Sequence, residues 1–187
     1  MVPQDLLAGQ RLLACDVDGV LTDGSIIYCS GNQESKMFSI KDGLGIRVAT
    51  LSHFPVVWLA RRTADAVARR AAELNVQLYQ GMSDKEAVLC RVSADLGIPL
   101  EQITYIGDDL DDLRPMRVAG LAIAVADAAP EVQAAAAYTT AAAGGKGAVR
   151  EVIEMIFRAQ GCWDAALERY QDSLTCPKAA HLLRTGT

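Results

Sequence analysis

Residues Ala14–Gly24 read ACDVDGVLTDG. Leu12, Leu13, Ala14 and Cys15 run straight into Asp16 and Asp18, and Gly19 follows. Four apolar residues in a row mark a buried strand, and side chains two apart in an extended segment point the same way. Two carboxylates at the mouth of such a strand repel each other and are costly to desolvate. A cation between them offsets both penalties, and hard oxygen donors suit Mg²⁺.

Outward from this stretch, short apolar runs alternate with helical patterns. Strands are predicted over Arg11–Asp16, Pro55–Ala60, Val76–Tyr79, Ile103–Gly107 and Leu121–Val125. Helices are predicted over Gly45–Ser52, Arg62–Leu74, Ser83–Leu96, Asp111–Ala119 and Gly147–Ala159. Ser83 and Glu86 have the spacing of a capping box. Alternation of this kind predicts an α/β fold, a mainly parallel sheet with helices on both faces. Ligands in such sheets bind at the carboxyl ends of the strands, so the loops at Asp16, Ala60 and Asp108 are expected at one site. Ser25–Cys29 and Ser35–Phe38 flank Ser30-Gly31-Asn32-Gln33, a β-hairpin pattern that should project over that site. Ala134–Ala143 reads as a short helix, a short edge strand and a loop. The expected layout is a domain over 1–163, with the hairpin 25–38 inserted, and a partly disordered C-terminal tail over 164–187.

The net charge of −5 comes without a basic stripe, which argues against a nucleic-acid partner. No apolar stretch approaches membrane-spanning length, and the N-terminus lacks a basic-then-apolar signal segment, so no membrane partner is expected. Five cysteines, at 15, 29, 90, 162 and 176, form no CxxC pair. They read as reduced thiols in a cytoplasmic protein, with Cys15 and Cys90 as small core residues. His53 and His181 match no motif and read as surface residues.

A second acidic cluster, Gly107-Asp108-Asp109-Leu110-Asp111-Asp112, follows the strand Ile103–Gly107. Together the two clusters describe an oxygen-lined Mg²⁺ site. Asp16 and Asp108 are its direct ligands and Asp18 contributes a backbone carbonyl. Asp109 and Asp112 hold the loop or metal-bound waters from behind. A carboxylate can attack phosphorus to give an aspartyl-phosphate. A neighbouring carboxylic acid can protonate the leaving alkoxide and then deprotonate the water that cleaves the intermediate. Asp16 suits the first role and Asp18 the second. Lys85, in the first turn of a helix, opposes the helix dipole and is placed to meet the phosphate charge.

DVDGVLTDG, SDK and GDDLDD resemble the first, third and fourth motifs of haloacid-dehalogenase superfamily phosphatases. The runs DVDGVLTDGSIIY, GNQESKMFSIKDGLGIR, YQGMSDK, YIGDDLDDLRPMRVAGLAIAVADA, AGGKGAVREV and RAQGCWD resemble the family that dephosphorylates 3-deoxy-D-manno-octulosonate 8-phosphate. The likeness runs from about Leu12 to Trp163. It implies a Rossmann-like three-layer sandwich with no cap domain and a homotetramer assembled through the projecting hairpin, a neighbouring subunit closing each site. It implies a phosphorylated sugar acid as substrate, in the supply of a sugar acid for lipopolysaccharide synthesis. It further implies that Asp42 and Gly43 lie beside the phosphate, that Arg62 and Arg70 are substrate or structural cations, and that the loop holding Lys146 lies near a site.

One departure stands out. The second motif of that family usually has Ser or Thr followed by Gly-Arg, whereas this chain has Ala60-Arg61-Arg62. The missing hydroxyl normally donates to a phosphoryl oxygen, and losing such a donor costs about 100- to 1000-fold in rate. Either Thr63 compensates or Arg61 holds the anion. The departure also keeps open a low-activity oligomerisation or regulatory protein, and the motifs do not separate the eight-carbon substrate from a nine-carbon sugar acid 9-phosphate.

Overall fold

The computed structural model describes residues 2–30 and 34–175. Six parallel strands form one sheet in the order β5-β4-β1-β6-β7-β8. They are β1 Leu12–Cys15, β4 Val56–Ala60, β5 Gln77–Gln80, β6 Ile103–Gly107, β7 Leu121–Ala124 and β8 Tyr138–Thr139. Every residue of β1, β4 and β6 is buried. Strands covered on both faces carry continuous apolar runs rather than alternation, which is why these three were visible in the sequence. Register places Cys15 beside both Trp58 and Ile106. From β1 the chain first builds outward through β4 and β5, then returns to build β6, β7 and β8 on the other side. The reversal leaves a crevice at the carboxyl ends of β1, β4 and β6.

Right-handed crossovers put helices made in opposite building directions on opposite faces. Helices α2 (Ile40–Leu51) and α3 (Asp65–Leu74) pack together, while α4 (Lys85–Leu96), α5 (Leu113–Val118) and α6 (Pro130–Ala135) form the other layer. Helices α7 (Ala148–Ala159) and α8 (Trp163–Thr175) join α2, and α1 (Gln4–Ala8) rests on α7. The result is the three-layer, Rossmann-like sandwich expected from the sequence. A separate two-stranded hairpin, β2 Ile27–Tyr28 with β3 Glu34–Ser35, lies between β1 and α2. Its strands are shorter than predicted, and the expected turn residues 31–33 lie outside the described residues.

Three boundaries differ from the sequence reading for physical reasons. Helix α2 begins at Ile40, five residues before the predicted Gly45, because the Ser39 hydroxyl caps it by accepting from the Asp42 N–H at 3.3 Å. Its glycines are close-approach sites rather than loop signals: a methyl group on Gly45 would come within 2.8 Å of Arg150 on α7. Helix α4 is capped by Asp84, which accepts from the Ala87 N–H at 3.1 Å, and not by the predicted Ser83–Glu86 box. Residues 164–175, expected to belong to a C-terminal tail, instead form a helix with Trp163, whose ring packs edge-on to Phe157 with ring centres 6.5 Å apart. Arg150 and Arg158 lie over the Trp163 ring at 5.1 and 5.3 Å. Residues 176–187, including Cys176 and His181, lie outside the described residues.

Cys15 is buried as expected, but Cys90 is exposed, on the outer side of α4. His53 is exposed, with φ of +58°. Among the described residues, no helix is long and apolar enough to cross a membrane.

Candidate active site

The loop after β1 is built to hold its carboxylates still. The Asp16 N–H donates to the Ile106 carbonyl at 3.0 Å, extending the β1–β6 ladder one residue past the strand. The Thr22 hydroxyl accepts from the Gly19 and Gly24 N–H groups at 3.3 and 3.2 Å and donates to the Val17 carbonyl at 3.4 Å. Gly19 has φ of +97°, and a methyl group there would overlap the Asp108 carboxylate. The absence of a side chain is what lets the β6 loop lie directly on the β1 loop. From the third side, the Gly145 N–H donates to the Val20 carbonyl at 2.9 Å, and Gly144 sits so close to the Gly19 carbonyl that any side chain there would collide with it.

Carboxylate oxygens of Asp16, Asp108 and Asp112 all lie within 4.8 Å of one another. Lys85 projects among them from the first turn of α4. Its ammonium donates to Asp16 at 2.8 Å and Asp112 at 2.7 Å, and pairs with Asp111 at 3.1 Å. Burial by itself would pull the Lys85 pKa down, but Asp16 and Asp112 outweigh it and hold the ammonium well above the ordinary lysine range. One cation thus faces four carboxylates. Burial, and then Asp112, push the Asp16 carboxyl up against the pull of Lys85. The same two causes push Asp108 up to about 7. The cluster holds more negative charge than its own lysine neutralises.

The two oxygens of Asp112 are already used. One accepts from Lys85 and from the Tyr105 hydroxyl, both at 2.7 Å; the other accepts from the Asp108 and Asp109 N–H groups at 2.9 and 3.4 Å. Asp112 is therefore an organiser: it locks Lys85 and the backbone that carries Asp108. Asp108 presents the opposite picture, with Oδ1 buried and without a hydrogen-bond partner. A buried anionic oxygen lacking a donor is costly. An orphaned oxygen, excess negative charge and an all-oxygen donor set are what a hard divalent cation needs, so the residues present fit Mg²⁺.

The Asp18 carboxylate is not part of this triangle, although the spacing of Asp16 and Asp18 suggested a cation between their two carboxylates. Lys36, whose side chain is 1% exposed, holds it at 2.6 Å and also binds Glu34 at 2.7 Å. Glu34 in turn accepts from Arg62 at 2.7 Å. The hairpin thus reaches back to fix Asp18. Neither Lys36 nor Glu34 was picked out from the sequence. The available signal was the hairpin itself, which places alternate side chains on one face above the β1 loop. Asp109 caps the 3-10 turn at Leu110–Asp112, accepting from the Leu110 N–H at 2.7 Å.

Asp16, Asp18, Arg61, Arg62, Asp108, Asp109, Leu110 and Asp111 line a cleft of about 340 Å³. Buried Ala60 ends β4 beneath it. The other expected phosphate-side residues are placed elsewhere. The Asp42 carboxylate accepts from the Gly147 and Arg150 N–H groups at 3.0 and 2.9 Å, capping α7 from α2. Arg70 packs over Gly43 and pairs with Glu73 at 3.0 Å. These three residues belong to the α2–α3–α7 layer, where backbone donors and close helix packing consume them. Lys146 lines a separate small cavity with Asp23, Met37 and Phe38.

A profile of haloacid dehalogenase-like hydrolases matches residues 59–153. The chain is 45% identical over 157 residues to the 3-deoxy-D-manno-octulosonate 8-phosphate phosphatases of Salmonella typhi and Escherichia coli strain K12, spanning 83% of this chain and 84% of each relative. Among solved structures, the Moraxella catarrhalis phosphatase of that name, in complex with magnesium, phosphate and its sugar acid, superposes with a TM-score of 0.85 at 40% identity, over 89% of this chain and 97% of that one. The cobalt-bound Haemophilus influenzae protein gives a TM-score of 0.82 at 35% identity, over 89% of this chain and 99% of that one.

Proposed function

The chain belongs to the 3-deoxy-D-manno-octulosonate 8-phosphate phosphatase family of the haloacid dehalogenase-like hydrolases, and on that footing we propose that it hydrolyses this sugar acid phosphate with Mg²⁺ as cofactor. The observation that carries the reading is the oxygen triangle of Asp16, Asp108 and Asp112, with its orphaned buried oxygen, beside a lysine that grips Asp16.

Asp16 and Asp108 hold the ion, with the main-chain carbonyl of Asp18. Bound there, Mg²⁺ neutralises phosphate charge so that an anion can approach phosphorus. The Asp16 carboxylate attacks phosphorus and becomes an aspartyl-phosphate, while the sugar oxygen leaves with a proton from Asp18. Asp18 then takes a proton from the incoming water, whose oxygen bonds to phosphorus and releases inorganic phosphate and free Asp16. Lys85 orients Asp16 and faces the charge that develops on the phosphoryl oxygens. Asp112 fixes Lys85 and the Asp108–Asp109 backbone, Asp109 secures the turn that follows, and Lys36 fixes Asp18.

The hairpin and its flanks expose Ile26, Ile27, Tyr28, Met37 and Ile40. Apolar surface gathered in this way suits burial against other copies, which supports a homotetramer assembled through the hairpin. The chain acts in the cytoplasm on a small molecule, in the supply of the sugar acid for lipopolysaccharide, without nucleic-acid or membrane partners. The Ala60-Arg61 departure is the observation that favours the second reading, a low-activity oligomerisation or regulatory protein.

Phosphate release from the eight-carbon substrate and from a nine-carbon sugar acid 9-phosphate, with Mg²⁺ and with EDTA, tests the proposal. Turnover confined to the eight-carbon compound, abolished by EDTA and by Asp16→Asn, is expected. Equal release by parent and Asp16→Asn removes the catalytic reading, and preference for the nine-carbon compound replaces the substrate.

A further inference from the structure

The cations around the cleft are engaged, with one exception. Lys85 is held by three aspartates, Lys36 by Asp18 and Glu34, and Arg62 by Glu34. Arg61 lines the same cleft, is exposed, and forms no ion pair or side-chain hydrogen bond among the described residues. Its place in the fold is fixed: Cys15 lies beside Trp58, so β4 runs two residues past the level at which β1 ends. The strand delivers Arg61 next to the loop that starts at Asp16. The residue before it, Ala60, is buried and carries no hydroxyl.

An incoming phosphate dianion meets the carboxylates of Asp16, Asp18, Asp108, Asp109 and Asp111 along this cleft. A guanidinium with no other partner can offer two parallel N–H donors to phosphoryl oxygens. Resting on the phosphatase reading above, we propose that Arg61 binds the phosphoryl group of the substrate, taking the place of the hydroxyl that Ala60 lacks. Thr63, the alternative, lines a different cavity with Glu34, Lys36 and Arg69, and its hydroxyl oxygen lies against Gly81, 2.8 Å from where a methyl group there would sit. Arg62 is committed to Glu34. Arg61 is the side chain that the geometry leaves to meet the anion.

The test compares Arg61→Ala, Arg61→Lys, Arg61→Gly and the double change Ala60→Thr with Arg61→Gly. Arg11→Ala, at the opposite end of β1, controls for net charge. Each is measured for kcat/KM on the sugar acid phosphate and on p-nitrophenyl phosphate, which has no carboxylate, and for calorimetric binding of inorganic phosphate in the presence of Mg²⁺. Arg61→Ala should lose about 10- to 150-fold in kcat/KM on both esters and weaken phosphate binding comparably, as for a charged hydrogen bond. Arg61→Lys should recover part of the loss and Arg11→Ala should match the parent. The double change should regain phosphate affinity relative to Arg61→Gly. Unchanged phosphate binding in Arg61→Ala overturns the proposal. So does a loss confined to the sugar acid phosphate, which would put the guanidinium on the sugar's carboxylate. A double variant no better than Arg61→Gly refutes the replacement of one donor by the other. Failure of the parent to hydrolyse either ester removes the phosphatase reading, while the phosphate titration still decides the role of Arg61.

Discussion

Replacing Asp42 separates a structural role from a phosphate-binding one. The carboxylate is buried and receives two backbone N–H groups from the start of α7, across more than a hundred residues of chain. Gly147, at the cap position with φ of +113°, has no side chain with which to do this itself. Asp42→Asn keeps one oxygen acceptor but turns an NH₂ group towards the second donor. That loses one charged hydrogen bond and leaves a buried N–H without a partner, a cost of about 2–3 kcal/mol. With a urea m-value of about 2 kcal/mol/M, the unfolding midpoint should fall by about 1 M. Burial pushes the Asp42 carboxyl up in the folded protein, against the pull of the two N–H donors. A raised folded pKa means that the parent gains stability as pH falls through the window between that value and the unfolded value of about 3.9. The gap between parent and Asp42→Asn therefore widens on acidification. Urea unfolding at pH 7 and pH 4, with kcat/KM measured at 25 °C without denaturant, makes the comparison. A tenfold or larger loss of kcat/KM at an unchanged midpoint would refute the capping argument and put Asp42 beside the phosphate.

Three further outcomes are expected. Lys36→Met frees the Asp18 side chain, so kcat should fall by about 100-fold, within the range for general acid–base catalysis, with KM little changed; steady-state kinetics on the sugar acid phosphate decide this. Mg²⁺ at a hundred times its Kd should stabilise the fold by about 2.7 kcal/mol, read as a rise in thermal midpoint that EDTA reverses and Asp108→Asn diminishes. Gly144→Ala forces a methyl group into the Gly19 carbonyl, so it should lower stability by about 2 kcal/mol or more and reduce turnover, while Gly97→Ala, with open space around it, should leave turnover unchanged.

The sheet was legible because its central strands are buried on both faces and so carry unbroken apolar runs, as in Leu12–Cys15 and Val56–Ala60. The gathering of the loops at Asp16, Ala60 and Asp108 followed from strand ends and needed no tertiary detail, whereas Lys85 was picked out by its place in the first turn of a helix. What stayed hidden depended on partners far apart in sequence. Lys36 reads as one more charged hairpin residue until the hairpin folds over Asp18. Gly43 and Gly45 look like helix breakers, yet they sit inside α2 because Arg70 and Arg150 occupy the space a side chain would fill. Trp163 stands at the boundary drawn between domain and tail, and only the presence of Phe157, Arg150 and Arg158 makes it an anchor. The family resemblance put Asp42 beside the phosphate, while the buried N-terminus of α7 takes its carboxylate as a cap.

The interlock of Gly144 and Gly145 with Gly19 and Val20 bears on how the protein is made. A ribosome releases the chain from its beginning, at about 5–20 residues per second. The loop that carries Asp16 emerges many seconds before the glycines that brace it, and Asp42 waits as long for the helix it caps. Until roughly four-fifths of the polypeptide has cleared the exit tunnel, the acidic loops have no third wall. The packing of Gly144 and Gly145 on the Gly19–Val20 loop therefore forms late in translation, after every strand up to β8 has been made.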